Sequence, residues 1–351
     1  MTSLLSGPPR VIYIDLPDSW YPYEDLAQTI NSAVDAGFNV INLAFWTSTD
    51  GPVDMCSAWE TDVGSVAGLQ ESTVKYANDR GAIVLASAGG ATDTPWNTLN
   101  GIDYGTGVAN FAVQNNLNGV DFDIENFSVG FIMFGGSTTT ETVKYLVDAT
   151  NAAKAILGDS RFITHAPLAP YFGPQDASYW AGSLGGYSEV YRQAGSQIDF
   201  FNIQYQGETM YVDYPGLYVE SGGDFPGTSV GEITTYGVPL EKLIVGKPLR
   251  GEDADNGYVD PTTLGIFIAS SGAPLGVMTW QYPGLTAWPS QGGGYAAAWL
   301  DLVFPQNMSL SQKRRERDLR KRNALRLRRG AQPSRFSQRR ITRGRAQCCC
   351  Y

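Results

Sequence analysis

Gly119-Val120-Asp121-Phe122-Asp123-Ile124-Glu125 sets three carboxylates at i, i+2 and i+4 between apolar residues. Alternation with a period of two is the pattern of a β-strand, in which every second side chain points to the same face. Successive acids on that face stand about 6.6 Å apart, from a rise of about 3.3 Å per residue. Three negative charges in such a row repel one another, so at least one is expected to keep a proton near neutral pH. A protonated carboxyl beside ionised partners is what general acid catalysis requires. An edge strand with a solvated acidic face is the plain alternative. Val120, Phe122 and Ile124 on the opposite face argue for a buried strand instead, because that face must pack on something apolar.

Outward from this run the chain repeats a strand-then-helix alternation. Short apolar or β-branched runs fall at Val11–Ile14, Asn39–Ala44, Ala82–Ala86, Val120–Ile124, Phe162–Thr164, Phe200–Gln204, Leu243–Val245 and Val277–Trp280. Helical periodicity fills Asp25–Ala36 (stopped at Gly37), Val63–Asn78, Val108–Asn116, Thr138–Leu157, Pro261–Ser271 and Gly294–Val303. No clear helix can be read after the fifth and sixth runs. Eight parallel strands in about 300 residues are the dimensions of a (β/α)8 barrel, whose active site lies at the C-terminal strand ends. Asp123 and Glu125 fall at one such end. A doubly wound open sheet is the competing architecture, but no Gly-x-Gly-x-x-Gly turn comes after the first run.

The charge is split along the chain. Residues 307–351 hold 15 Lys and Arg against two acids, leaving 10 basic and 33 acidic residues in 1–306, a net charge of −23. The expected organisation is therefore a barrel over 1–306 and a basic, disordered tail over 307–351. An acidic body repels nucleic acid and anionic membranes and suits a neutral or cationic ligand. Cys56 is the one cysteine of the body, which excludes a disulfide within it. The first residues lack the apolar stretch of a leader, and no run approaches the 18 apolar residues of a membrane span. Asn126-Phe127-Ser128 is a glycosylation sequon directly after Glu125, where a glycan would block the site. A cytoplasmic or unconventionally secreted protein is expected, with an extracellular one as the alternative.

Asn118-Gly119-Val120-Asp121-Phe122-Asp123-Ile124-Glu125 resembles the Asp-Gly-x-Asp-x-Asp-x-Glu signature on the fourth strand of glycoside hydrolase family 18, with Asn118 in place of the first Asp. Ser87-Ala88-Gly89-Gly90 resembles that family's third-strand Ser-x-Gly-Gly. His165-Ala166-Pro167-Leu168-Ala169-Pro170-Tyr171 is similar to the Ala-Pro-Gln-x-Pro segment of its short plant and fungal members, with Leu168 at the Gln. Ile198–Tyr205 resembles the sixth strand with its site tyrosine, Gln206 replacing the usual Asp or Asn, and Gly276–Trp280 the eighth strand with its Trp.

The resemblance implies a role for each matched residue. Glu125 would protonate the glycosidic oxygen, and Asp123 would orient a 2-acetamido group whose carbonyl oxygen attacks the anomeric carbon. Asp121 would share a proton with Asp123, and Tyr205 would hydrogen-bond the acetamido group. Trp280 would stack beneath the sugar, with Gln204, Gly89, Gly90, Tyr13, Phe45, Ala166 and Tyr171 as further substrate contacts. Configuration would be retained by a substrate-assisted route, an exception to the two-carboxylate scheme. The implied protein is an endo-acting, monomeric chitinase that needs no cofactor, metal or nucleic acid. An endo-β-N-acetylglucosaminidase cutting the N-glycan core and a non-catalytic chitin-binding lectin are the alternatives. The short span between the last two strands leaves no room for the α+β domain that walls the cleft in some members.

His165 is the only histidine, which excludes His-dependent triads and multi-His metal sites. It reads as a hydrogen-bonded structural residue. Trp46, Trp96, Trp180 and Trp288 are candidates for a sugar groove, with ordinary packing as the competing reading.

Overall fold

The computed structural model describes residues 4–15, 26–125, 139–173, 186–206, 209–271, 276–282 and 294–304, together with Lys321. Trp180, Trp288, Asn126, Cys348 and almost all of the basic tail lie outside them. The chain divides into Met1–Met308 and Ser309–Tyr351, and the barrel belongs wholly to the first unit.

Eight parallel strands close into a barrel: β1 (Arg10–Ile14), β2 (Val40–Thr47), β3 (Ile83–Gly89), β4 (Gly119–Asp123), β5 (Phe162–His165), β6 (Phe200–Gln204), β7 (Leu243–Pro248) and β8 (Val277–Trp280). Each pairs with its sequence neighbours, and β1 pairs with both β2 and β8, which closes the ring. All eight expected runs are strands, and β2, β3, β5 and β7 extend beyond the expected C-terminal ends. Of the extra residues, Phe45 lines the cleft and Ser87 and Gly89 stand against the acids of β4. A two-residue antiparallel hairpin, Gly51–Pro52, folds back on β2.

Strand parity sorts the side chains. Val11, Tyr13, Val40, Ile83, Leu85, Phe200, Ile244 and Met278 form a cluster inside the barrel. Val120, Phe122 and Ile124 are buried on the outward face of β4, as their alternation with the acids requires. Helices Leu26–Asp35, Leu69–Asp79, Gly101–Gln114, Thr139–Leu157, Gly186–Ala194, Pro261–Ser271 and Gly294–Val303 cover that outer face. Asn100 starts the third of these by accepting from the Asp103 amide at 2.9 Å. Among its described residues the connection after β6 carries two short α-helices, Tyr214–Tyr218 and Val230–Thr235. That brevity is why no periodicity announced them. The described part of the connection from β7 to β8 holds a single helix. Among the described residues no helix is long and apolar enough to cross a membrane.

Candidate active site

Asp121 and Asp123 on β4, with Glu125 two residues past its end, climb toward the C-terminal rim. Asp121 lies deepest, with no solvent exposure, and accepts four hydrogen bonds. Tyr13 Oη and Ser87 Oγ donate to its Oδ2 at 2.8 and 3.0 Å, and Thr164 Oγ1 and Asn202 Nδ2 donate to Oδ1 at 2.5 and 3.1 Å. Burial raises its pKa, and the four donors hold that rise in check.

Asp123 is also buried but has a different surrounding. Its pKa is pushed well up, first by burial, then by the charges of Glu125 and Asp121, then by its hydrogen bond to Glu125. Burial raises Glu125 as well, opposed by hydrogen bonds from Gln204 and Asp123. A hydrogen bond between the two carboxyls needs a proton on one of them, and both shifts favour keeping it. Gln204 Nε2 meets both, at 2.9 Å from Asp123 Oδ1 and 3.1 Å from Glu125 Oε1.

The backbone is fitted to this pair. A Cβ on Gly89, at φ +118°, would lie 2.1 Å from the Asp123 carbonyl oxygen, so no other residue lets β3 approach β4 so closely. The Gly90 amide donates to that same carbonyl at 2.6 Å. Tyr171 Oη donates to the Glu125 main-chain carbonyl, and the Ala166 carbonyl accepts from Gln204 at 3.0 Å. Gly89, Gly90, Ala166 and Tyr171 thus brace the acids from behind.

Above the pair opens a cleft of about 530 Å³ lined by Tyr13, Asp15, Phe45, Asp54, Ala91, Thr92, Asp123, Glu125, Gln204, Gln206, Ala254, Asp255, Met278 and Trp280. Trp280 forms an aromatic wall with Phe45, ring centres 6.1 Å apart and 22° from parallel, and with Tyr13 at 5.7 Å. The peptide bonds Ala44–Phe45 and Trp280–Gln281 are cis. Among the described residues the lining carries five acids and no lysine or arginine.

Tyr205 does not join this group. Asn202 and Gln204 point inward, so Tyr205, one residue on, points outward. It is fully buried, its ring 5.0 Å from that of Tyr211, and it is absent from the cleft lining. Gln206 has the inward parity and lines the cleft instead. Naming both Gln204 and Tyr205 as site residues conflicts with the two-residue period of a strand. Asp15, Asp54, Asp255 and Thr92 lie beyond strand ends, where no period marks them, and Gln206, which stands at the usual Asp or Asn, is assigned to the cleft by parity alone. His165 packs outside the barrel between Thr150 Oγ1 (3.1 Å) and Tyr187 Oη (3.2 Å), and burial lowers its pKa to about 3. It is a neutral structural residue. Trp46 is buried edge-on against Tyr104 and Trp96 is not part of the lining, so neither forms the cleft. Among the described residues no cluster of His, Cys, Asp and Glu is arranged to hold a metal ion.

The barrel has counterparts of the same fold among solved structures. A GH18 chitinase from Pseudoalteromonas aurantia superposes with a TM-score of 0.61 at 22% identity, over 84% of this chain and 99% of that one. A putative chitinase A from Streptomyces coelicolor gives 0.59 at 19%, over 86% and 99%. A GH18 chitinase variant from Cycas revoluta, solved with (GlcNAc)4, gives 0.51 at 12%, over 89% and 99%. At these identities the likeness establishes the shared fold. No family model and no curated protein sequence matches the chain.

Proposed function

We propose that this chain is a family 18 glycoside hydrolase that cleaves β-1,4 bonds between N-acetylglucosamine units by a retaining, substrate-assisted route. The observation that carries the proposal is the pairing of a buried Asp123 with a half-buried Glu125, bridged by Gln204, beside the wall of Trp280, Phe45 and Tyr13. The fold shared with those chitinases and the strand-four signature support it. An acetamido N–H arriving at Asp123 favours the ionised form of that acid, which hands the proton to Glu125. Glu125 then protonates the glycosidic oxygen while the acetamido carbonyl oxygen attacks the anomeric carbon. Water, deprotonated by Glu125, opens the resulting ring from the face that the leaving group vacated, so two inversions retain the configuration. Asp121 stays beneath as a fixed charge. With Tyr205 turned outward, the acetamido group meets Gln204, Gln206 and Tyr13 instead.

The test compares wild type and Glu125→Gln on N-acetylated and de-acetylated chito-oligomers. Wild type is expected to cut only the acetylated ones, with the β-anomer as first product, and the variant to bind without cutting. Turnover of the de-acetylated oligomer, or an inverted product, refutes the route. A high-mannose glycopeptide in the same assay separates chitin hydrolysis from cleavage of an N-glycan core. Binding with no turnover by wild type at any pH would identify a lectin.

A further inference from the structure

Three acceptors crowd one nitrogen. Gln204 Nε2 lies 2.9 Å from Asp123 Oδ1, 3.1 Å from Glu125 Oε1 and 3.0 Å from the Ala166 carbonyl. A side-chain amide has only two N–H hydrogens. The Ala166 carbonyl can only accept, so it fixes which end of the amide faces the acids. At the other end, Gln206 Nε2 donates to Gln204 Oε1 at 3.0 Å, which enforces the same orientation. With one hydrogen directed to Ala166, the second is shared by two carboxyls that hold one proton between them. Hydrogen bonds to ionised groups are roughly twice as strong as neutral ones, so this hydrogen follows the negative charge from one acid to the other.

We propose that Gln204 is a positioning residue that partitions the shared proton between Asp123 and Glu125, with Gln206 locking its amide in the working orientation. The assignment rests on the proposed hydrolase only for the direction in which the proton travels. Other titratable groups facing the pair are Asp121 below it on β4, Tyr13 on β1, Asp15, Asp54 and Asp255 in the cleft lining, and Tyr171 after β5. Gln204 bonds both acids through a single atom. β3 and β8 bring Gly89, Gly90 and Trp280, which do not titrate.

The test is a carbon-13 NMR titration of the side-chain carboxyls in full-length wild type, Gln204→Met, Gln204→Glu and Gln206→Leu, alongside the pH dependence of kcat/KM on acetylated oligomers. Loss of the two N–H donors in Gln204→Met is expected to move both carboxyl titrations upward by about one pH unit or more, the size of a lost hydrogen bond to a charged group. Both limbs of the rate profile should shift with them. Gln204→Glu keeps the shape of the side chain and should shift them in the same direction. Because the added carboxylate raises neighbouring acids by charge alone, Gln206→Leu, which adds no charge, decides the matter if the Met variant fails to fold. Gln206→Leu should give a smaller shift of the same sign. Titrations that stay in place while kcat falls equally at every pH would overturn the proposal and leave Gln204 a packing residue. If wild type turns over nothing, the hydrolase reading fails, while the carboxyl titrations still decide the role of Gln204.

Discussion

Replacing Gly89 by alanine tests the close seam between β3 and β4. The new Cβ would sit 2.1 Å from the Asp123 carbonyl oxygen and 2.8 Å from its carbon, so one strand must retreat by about 1 Å. Three costs combine. A left-handed alanine is worth about 1–2 kcal/mol, overpacking about 1–3 kcal/mol, and the stretched Gly90–Asp123 hydrogen bond about 1 kcal/mol. The sum, about 3–6 kcal/mol, is a large part of a typical domain's stability of about 5–15 kcal/mol. Gly158→Ala is the control: φ is +64° there and no atom lies within 4 Å of the added carbon, so only the conformational cost of about 1–2 kcal/mol applies. Urea unfolding followed by circular dichroism measures both variants. Gly89→Ala should be the less stable by at least about 2 kcal/mol. Equal losses in the two variants would refute the seam.

Two buried groups give stability a predictable pH dependence. His165 has a folded-state pKa of about 3 against 6.5 unfolded, so the unfolded chain binds more protons between those values. Stability is lost as pH falls from 6.5 toward 3, at up to about 1.4 kcal/mol per unit. His165→Phe should remove that component, and parallel wild-type and variant curves from pH 7 to 4.5 would contradict it. Lys247, fully buried on the outward face of β7, donates to the carbonyls of Tyr205, Tyr211 and Gly257 at 2.7, 2.9 and 3.0 Å, and burial lowers its pKa to about 7. Its unfolded value is 10.5, so it makes stability rise as pH climbs from 7 to 10.5. Lys247→Met should flatten that rise and, with three carbonyls left unpaired, cost about 3 kcal/mol or more at pH 7. A variant as stable as wild type in urea at pH 7 would count against the triple bond.

The barrel was legible because each strand core is an apolar run of the right length and spacing. The active strand was clearer still, since Asp121, Asp123 and Glu125 alternate with Val120, Phe122 and Ile124. What escaped depends on atoms brought together from afar. Nothing near Asp121 in sequence foretells that Tyr13 and Asn202 will donate to it, 108 and 81 residues away. The rim residues Asp15, Asp54 and Asp255 lie in segments without periodicity. Tyr205 is a different case: its outward direction follows from Gln204 pointing inward, a deduction that needs no coordinates. Gly89 and Gly90, expected as substrate contacts, instead stand against the Asp123 carbonyl, where a residue without a side chain leaves room for the acidic strand.

The four donors to Asp121 come from both halves of the ring. Tyr13 and Ser87 precede it in the chain, whereas Thr164 and Asn202 come after it. A fragment ending after β4 would contain the acid with half of its partners, leaving a charge that neither water nor protein adequately solvates. The separated halves are thus poor candidates for independent folding, and this carboxylate acts as a clasp that ties completion of the ring to a single cooperative event.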